Sequence, residues 1–335
     1  MLVHLTLLLN RGVEIDTAFF TGNQVPKLSI MAAEIPIEDA GGSSWLPDAA
    51  DRAANGGGVQ GTAASQKEID AADEGTRKFL WHELVPVTSL RPGYRDRCVH
   101  FVPTPGSPAR TTHLRVNYFP DGGVARLRIW GDVSRNFARE LASSPRPIDL
   151  AAVENGGKGI GCSNQHYGVP RNLLQPGRGI HMGDGWETGR HPDRPAIITL
   201  DAKSGFSASG ASDWCVIRLG AVAKSVAELR IDTKHFKGNF PESVEVHGRY
   251  SPMASNQEVL DMAASSNHPT WFPILARTRL TPDSEHIFRD CTTQKVSHVR
   301  VTIFPDGGIM RFRLFGHAIE PMPTALPITV ARSRL

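Results

Sequence analysis

The chain has 335 residues, of which 40% are hydrophobic, and its 37 Lys and Arg against 34 Asp and Glu give a formal net charge of +3. That length is sufficient for two domains of ordinary size, each with its own core. No block of like charge stands out, so the basic footprint of a nucleic-acid-binding protein is missing and we expect no nucleic-acid partner.

The chain begins with the apolar stretch MLVHLTLLLN. This stretch lacks a basic lead and a small-residue cleavage site, and it is too short to span a bilayer. We interpret it as a buried strand or a poorly fitting chain start and not as a signal peptide, and we expect no membrane partner.

One hairpin sequence occurs twice. VNYFPDGGVARLRIWG at 116–131 returns as VTIFPDGGIMRFRLFG at 301–316, and IDTAFFTGN at 15–23 returns as IDTKHFKGN at 231–239. The chain therefore contains two copies of one domain. We assign 1–135 to the first repeat, 148–320 to the second and 321–335 to a C-terminal tail.

The distance between matching residues falls from 216 to 185 along the repeat, so the first copy holds extra residues. The obvious candidate is the Gly/Ala/Ser-rich stretch at about 41–66. Such a composition cannot bury enough apolar surface to become ordered, and it predicts a mobile loop.

The repeated segments alternate between apolar and polar residues with period two, and PDGG supplies the backbone angles of a tight turn. Short strands separated by Gly/Pro turns indicate two antiparallel β-sandwiches. The alternation places Arg126 and Arg128 on one face of their strand, and Arg311 and Arg313 on one face of theirs. For each arginine taken singly, a solvent-exposed position is favoured over a binding role.

The second copy begins with polar loop sequence: ENGGKGIGCSNQHYGVPRNLL at 154–174 includes Asn155 and His166, and DGWET carries Asp184 and Glu187, with Arg190 just beyond. Loops at the end of a rigid sandwich commonly hold functional sites. A carboxylate pair beside an arginine is suited to acid/base chemistry on an anionic substrate. The alternative is structural, with Asp-Gly as a turn, Trp186 as a core anchor and locally paired charges.

IDTKHFKGN brings His235 and Asn239 to the end of a strand. A lone histidine is more often structural than catalytic. No HxH, HxxxH or HExxH spacing, nucleotide-binding loop or nucleophile elbow occurs, so we expect no metal and no cofactor. The four widely spaced cysteines are interpreted as reduced thiols.

Taken together, DGWET, WCVIRLG, IDTKHFKGN and the repeated FPDGG hairpin resemble the allantoicase family of allantoate amidinohydrolases in purine breakdown. The resemblance covers about 12–36 and 79–131 in copy one and nearly all of 148–318 in copy two. It implies an all-β fold of two tandem jelly-roll-like, galactose-binding-like sandwiches. It also implies a hydrolase acting on linear ureido C–N bonds, which converts allantoate to ureidoglycolate and urea.

Removal of urea from allantoate requires a proton on the leaving nitrogen, a base for water and a cation for the substrate carboxylate. By residue type we expect proton transfer from Glu187 and His235, with Asp184 as a third catalytic candidate. The candidate substrate-binding residues are Arg190, Arg311, Arg313, Asn155, Asn239 and His166. The substrate is then a small anion, and a homo-oligomer is left open.

Family members begin copy one with their own Asp-Gly-Trp-Glu-Thr segment, and shifting Asp184 back by 216 places it before Met1. We therefore expect an incomplete, N-terminally truncated first sandwich. The competing hypothesis is a non-catalytic binding or scaffold paralogue that retains the fold.

The last three residues, Ser333, Arg334 and Leu335, are a conservative variant of the Ser-Lys-Leu peroxisomal address. The tripeptide predicts a peroxisomal protein, with the cytoplasm as the alternative.

Overall fold

The computed structural model describes residues 2–35, 66–104, 110–135, 137, 146–265 and 269–323. The extra segment at 41–66 lies outside the described residues apart from Gln66, and so does the terminal tripeptide. The chain divides into two compact units, residues 1–134 and 135–335. None of the helices in the described ranges has the length and apolar character needed to cross a membrane.

The first unit is a six-stranded antiparallel sheet with one helix. Its elements are β1 (Leu2–Asp16), β2 (Lys27–Ala33), α1 (Gln66–Thr76), β3 (His82–Ser89), β4 (Val99–Pro103), β5 (Arg110–Phe119) and β6 (Arg126–Val133). β1 includes the apolar chain start, so the predicted strand there is confirmed.

β1 joins the two layers of the first unit. Its first part pairs with β5, which continues through β2 to β3, whereas its second part pairs with β4 and β6. Alternate side chains of the strands meet in one apolar core that includes Val13, Ile15, Leu28, Ile30 and Leu114. This arrangement confirms the period-two prediction.

The second unit has the same order of strands with additional elements before them. These are β7 (Ile148–Asp149), β8 (Lys158–Cys162), β9 (Trp186–Glu187), β10 (Asp213–Asp232), β11 (Ser243–Arg249), α2 (Asn256–Ala263), β12 (Phe272–Arg279), β13 (Glu285–Thr292), β14 (Val296–Phe304), β15 (Gly308–Ile309) and β16 (Arg311–Pro321). Eight strands form one antiparallel sheet, and β9 pairs separately with β15. Among the described residues the first unit has fewer strands than the second, as expected.

β10 folds back on itself. Its start pairs with β14 and β8, and its end pairs with β16 and β13. A straight twenty-residue strand would be about 66 Å long, but the link from Phe304 to Arg311 spans at most about 25 Å. Asp213 and Asp232 therefore lie at the same end of the unit, which we call the hairpin end. The opposite end, near Gly220, is the bend end.

The two halves of β10 enclose a single core. Cys215 and Ile217 from its first half and Leu229 and Ile231 from its second half belong to one buried cluster, which also contains Trp186. The predicted class of two antiparallel β-sandwiches is confirmed. The four cysteines are free thiols.

Candidate active site

The FPDGG hairpin of the second unit is held by the segment that precedes β10. β15 pairs with β9, so that Gly308 lies opposite Glu187 and Ile309 opposite Trp186. The fully buried Trp186 ring donates its Nε1–H to the Asn164 carbonyl at 2.8 Å. Trp186 is thus the core anchor considered above, and it fixes Glu187 beside the hairpin.

Arg311 is 5% exposed, and its guanidinium donates to three backbone carbonyls. The acceptors are Gly177 at 2.9 Å, Asp184 at 2.7 Å and Met310 at 2.7 Å. Arg313 donates to the carbonyls of Gln175 and Gly177. The expectation of a solvent-exposed side chain was therefore wrong for Arg311, because a loop from earlier in the chain covers it.

The same loop presents a second guanidinium. Arg178 lies between Gly177 (φ 68°) and Gly179 (φ 73°), whose left-handed backbone is accessible to glycine at little cost. It forms a bidentate ion pair with Asp232, with Nε–Oδ2 at 2.8 Å and Nη2–Oδ1 at 2.9 Å. Lys234 donates from Nζ to the Gly179 carbonyl at 3.1 Å. The loop thus carries one cationic side chain, Arg178, and accepts hydrogen bonds from three others, Lys234, Arg311 and Arg313.

These groups surround a cavity of about 440 Å³. Its lining is Asn172, Gln175, Pro176, Gly177, Arg178, Gly179, Ile180, Gly183, Asp184 and Arg311. Within the described part of the chain, Nη1 of Arg178 and Nη2 of Arg311 have no hydrogen-bond acceptor. The cavity therefore offers unused N–H groups of two guanidinium ions, a fit for an anionic group.

The Asp184 carboxylate belongs to the wall of this cavity. Its Oδ2 accepts the backbone N–H of Ile180 at 2.7 Å and of His181 at 3.3 Å. These two hydrogen bonds lower the pKa of Asp184 below its ordinary value. The group remains ionised near neutral pH and holds the loop, so its geometry suits a structural role better than that of a proton donor.

Glu187 lies on the other side of the 3₁₀ turn Met182–Asp184. Its Oε1 accepts from the side-chain amide of Asn239, and that amide also approaches the Met182 sulfur at 3.7 Å. Gly183 and Asp184, in the same turn, line the cavity. Glu187 and Asn239 are thus paired next to the wall of the cavity.

His235 has a left-handed backbone (φ 71°), and its N–H donates to Asp283 Oδ1 at 2.7 Å. This bond, with the charges of Lys237 and Arg178, lowers the pKa of Asp283. The His235 Nε2 atom is enclosed and has no hydrogen-bond partner among the described residues. A non-glycine residue at positive φ commonly marks a constrained functional position.

Of the expected site residues, Asp184 and Arg311 line the cavity, and three of the others have their contacts elsewhere. Asn155 is 7% exposed; its amide donates to the Asp149 carbonyl at 2.6 Å, and its backbone lies against Gly220 at the bend end. It is therefore a structural residue there. Arg190 is exposed and donates to Pro195 O at 3.3 Å. His166 is exposed with its ring against Tyr167.

Sequence reasoning missed Arg178, Asn172 and Lys234. The available signal for Arg178 was its position between two glycines in the segment 175–185, which connects the two polar stretches that were singled out. No group of three or more His, Cys, Asp or Glu side chains in the described ranges is placed to hold a metal ion.

Comparison with known proteins identifies the family. The allantoicase repeat model matches residues 8–134 and 148–319. The chain belongs to the allantoicase family. Probable allantoicases of Acinetobacter baumannii (strain SDF) and Acinetobacter baylyi are 33% and 34% identical over 307 and 311 residues. These alignments cover 91% and 92% of this chain and 71% and 73% of the two relatives.

A solved allantoicase from Saccharomyces cerevisiae is also similar to this chain. Its TM-score is 0.57 at 30% sequence identity, and the match covers 94% of this chain and 76% of the yeast chain. The resemblance inferred from DGWET, WCVIRLG, IDTKHFKGN and the repeated hairpin is confirmed.

Proposed function

We propose that this member of the allantoicase family hydrolyses allantoate to ureidoglycolate and urea at the hairpin end of its second unit. The observation that carries the placement is the cavity bounded by Arg178 and Arg311. Its volume falls within the range of about 300–1,000 Å³ typical of small-molecule sites. Family membership favours the enzyme over the non-catalytic paralogue.

The substrate carboxylate binds between Nη1 of Arg178 and Nη2 of Arg311. Asp232 orients Arg178 through two hydrogen bonds, and three backbone carbonyls orient Arg311. Because both guanidinium groups are already fixed, little side-chain entropy is lost when an anion binds. Lys234 adds positive charge at the rim of the cavity, because its ammonium group donates a hydrogen bond to the Gly179 carbonyl.

Glu187 transfers a proton to the ureido nitrogen that leaves with urea. Water attacks the central carbon, the C–N bond breaks with its electron pair on that nitrogen, and the new hydroxyl remains on ureidoglycolate. The Asn239 amide holds Glu187 Oε1, which leaves Oε2 to face the substrate. We assign His235 as the second proton-transfer group by residue type, since it follows Lys234, whose Nζ reaches the Gly179 carbonyl at the cavity.

Arg313 is a positioning residue in this proposal. It holds the carbonyls of Gln175 and Gly177, which fix the loop that carries Arg178. Asp184 has the same kind of role through Ile180 and His181. Arg190 and His166 remain candidates at the edge of the site, and Asn155 is not included.

Urea release from allantoate tests the proposed activity. The purified chain is incubated with allantoate, and urea and ureidoglycolate are quantified together. Stoichiometric formation of both products is the expected result. Saturable binding of allantoate without release of urea would instead support the non-catalytic paralogue. Gel filtration of the same sample decides between a monomer and a homo-oligomer.

We further propose that the reaction serves ureide breakdown in purine catabolism and that Ser333, Arg334 and Leu335 direct the chain to peroxisomes. A fluorescent reporter that ends in residues 326–335 should become punctate and overlap a peroxisomal marker. Diffuse fluorescence would favour the cytoplasm.

A further inference from the structure

A row of basic residues crosses the outer face of the second unit. Cα pairing places Lys158 of β8, Arg218 of β10, His298 of β14 and Arg249 of β11 side by side on four neighbouring strands. In β14 the alternate residues Val299, Val301 and Ile303 belong to the main core. His298 and Arg300 therefore point to the opposite face of the sheet. We call Arg218, Arg249, His298 and Arg300 the basic array.

Most of the basic array is buried. Arg249 is 6% exposed, Arg300 is 4% exposed and His298 is fully enclosed. Val216, the neighbour of Arg300 on β10, packs in a second apolar cluster with Val259 and Ala263 of α2 and with Trp271. The covering helix and its following segment thus enclose a face of the sheet that carries guanidinium groups.

The buried guanidinium groups lack partners among the described residues. Nε and Nη1 of Arg249 and Nε of Arg300 are enclosed without an acceptor, and no described carboxylate forms an ion pair with either residue. The Trp214 ring lies 5.5 Å from Cζ of Arg300. Burial lowers the pKa of Arg300, and the charge of Glu245 offsets this only in part. The Glu245 carboxylate approaches His247 Nδ1 at 3.9 Å.

Burial lowers the pKa of both Arg249 and Arg300. A buried, unpaired charge is destabilising unless an opposite charge or a set of hydrogen bonds compensates it. His298 contributes no charge near neutral pH, because burial and the charges of Arg218 and Arg249 lower its pKa to about 3. The array is therefore a concentrated positive site.

The first unit shows what compensates the equivalent arginine. Arg115 occupies in β5 the position of Arg300 in β14, 185 residues earlier. It forms an ion pair with Asp73 of α1 at 2.9 Å and donates from Nε to Asn117 Oδ1 at 3.1 Å. A carboxylate and an amide oxygen thus satisfy Arg115.

Both of these acceptors are absent from the second unit. α1 and α2 begin 190 residues apart, at Gln66 and Asn256, so Ala263 stands where α1 has Asp73. Thr302 stands in place of Asn117, and its Oγ1 has no partner among the described residues. The second unit buries the arginine more deeply and has lost the groups that paired with it.

We propose that the basic array of the second unit binds a small carboxylate anion, with Arg300 and Arg249 as its principal donors. The anion takes the place that the Asp73 side chain has beside Arg115. The site is distinct from the cavity at Arg178 and Arg311, because Arg300 lies on the outer face of the sheet, whereas Arg311 packs under the loop at 175–185. It is also specific to the second unit, since Ala33 stands at the position of Arg249 in the first.

Thermal unfolding of the purified full chain in sodium oxalate tests this site, with sodium chloride at matched ionic strength as the reference. A ligand that binds only the folded state raises the melting temperature in a saturable manner. Because oxalate can also enter the cavity at Arg178, the variant Arg300→Met sets the background. Arg115→Met is the matched control in the first unit.

The melting temperatures of the wild-type chain and of Arg115→Met should rise with oxalate in a saturable manner. Arg300→Met should lose most of this rise. Arg249→Met should reduce it as well. Ala263→Asp restores the carboxylate that the first unit has, so it should reduce the oxalate-dependent rise in melting temperature to the Arg300→Met background and melt at or above the wild-type temperature in chloride.

Three outcomes would overturn the proposal. These are a wild-type melting temperature that is the same in oxalate and in chloride, an undiminished rise in Arg300→Met, and an Ala263→Asp chain that melts below wild type and responds to oxalate beyond the Arg300→Met background. A melting temperature that rises with inorganic phosphate and not with oxalate would overturn the assignment of the ligand as a carboxylate.

Discussion

Residues 119–123 in the first unit and residues 304–308 in the second form two turns with nearly the same backbone conformation. The first turn leads from β5 to β6, and the second leads from β14 towards β16. Both turns have a cis Phe–Pro bond, and Gly122 and Gly307 have φ values of 134° and 132°. The FPDGG sequence therefore determines the local conformation in both units. The surroundings of the two turns are different.

Asp121 and Arg126 are exposed in the first unit, whereas Asp306 is 3% exposed and Arg311 is 5% exposed in the second. Asp306 accepts the backbone N–H of His191 at 2.8 Å and pairs with Arg194. Segments that precede β10 thus cover the second turn. The same hairpin is exposed in one unit, whereas in the other it is covered and contributes Arg311 to the wall of a cavity, according to what packs on it.

The loop after the first repeated strand differs in the same way. Phe19 and His235 occupy equivalent positions with φ values of 72° and 71°. Phe19 is 93% exposed, whereas the His235 Nε2 is enclosed. Ala18 stands where the second unit has Lys234, so the groups suited to chemistry are concentrated in the second unit.

Replacement of Glu187 should give the largest difference between the units. Glu187→Gln removes the proton-transfer group and keeps the hydrogen bond from Asn239, so kcat for urea release should fall by about 10²–10⁴-fold. Glu14→Gln, which removes a carboxylate that pairs with Arg128 in the first unit, is the control and should leave kcat nearly unchanged. Equal losses in the two variants would refute the assignment.

Acid should destabilise the second unit through His298. The pKa of this group is about 3 in the folded chain and about 6.5 when unfolded. Between these values the unfolded state binds the extra proton, so stability falls by about 1.4 kcal/mol per pH unit as the pH drops from 6.5 towards 3.

The slope of unfolding free energy against pH, measured by denaturant titration, tests this prediction. His298→Gln should flatten the slope below pH 6.5. An unchanged slope in His298→Gln would contradict the pKa shift.

A smaller effect is expected from Asp232→Asn. Asp16 and Asp232 each accept the backbone N–H two residues later, at 2.8 and 2.9 Å, which asparagine can also do. Only Asp232 also holds Arg178, whose side chain is 51% exposed. After discounting for solvent screening, Asp232→Asn should cost about 1–2 kcal/mol of stability.

Asp16→Asn should change the free energy of unfolding by less than about 0.5 kcal/mol. Thermal melts of both variants give the comparison. A loss for Asp16→Asn as large as that for Asp232→Asn would show that the carboxylate charge matters equally without its guanidinium partner.

The strands and turns were predictable because their signals are local. Period-two alternation and PDGG depend on neighbouring residues, and the repeated hairpin was recovered in both units. Glu187 and Asn239 were singled out from two separate motifs, but their hydrogen bond was not predicted. The burial of Arg311 could not be predicted in this way, because it depends on Gly177 and Asp184, more than 120 residues away.

Residue type alone was also insufficient to separate site residues from structural ones. Asn155 and Asn239 are both asparagines beside glycine-rich sequence, yet the amide of Asn155 bonds the Asp149 carbonyl at the bend end. Arg178 escaped notice because its partner Asp232 lies 54 residues later. In each case the hydrogen-bond partner, and not the residue type, determined the role of the side chain.

Calorimetric binding of allantoate to the Glu187→Gln chain tests the central claim most directly, because this variant should bind the substrate without turnover. Adding Arg311→Ala should weaken binding by roughly 1.5–3 kcal/mol, the range for a hydrogen bond to a charged group. Adding Arg126→Ala, at the same position of the first hairpin, should leave the affinity unchanged. Unchanged affinity on loss of Arg311, or an equal loss at Arg126, would contradict a substrate site in the second unit.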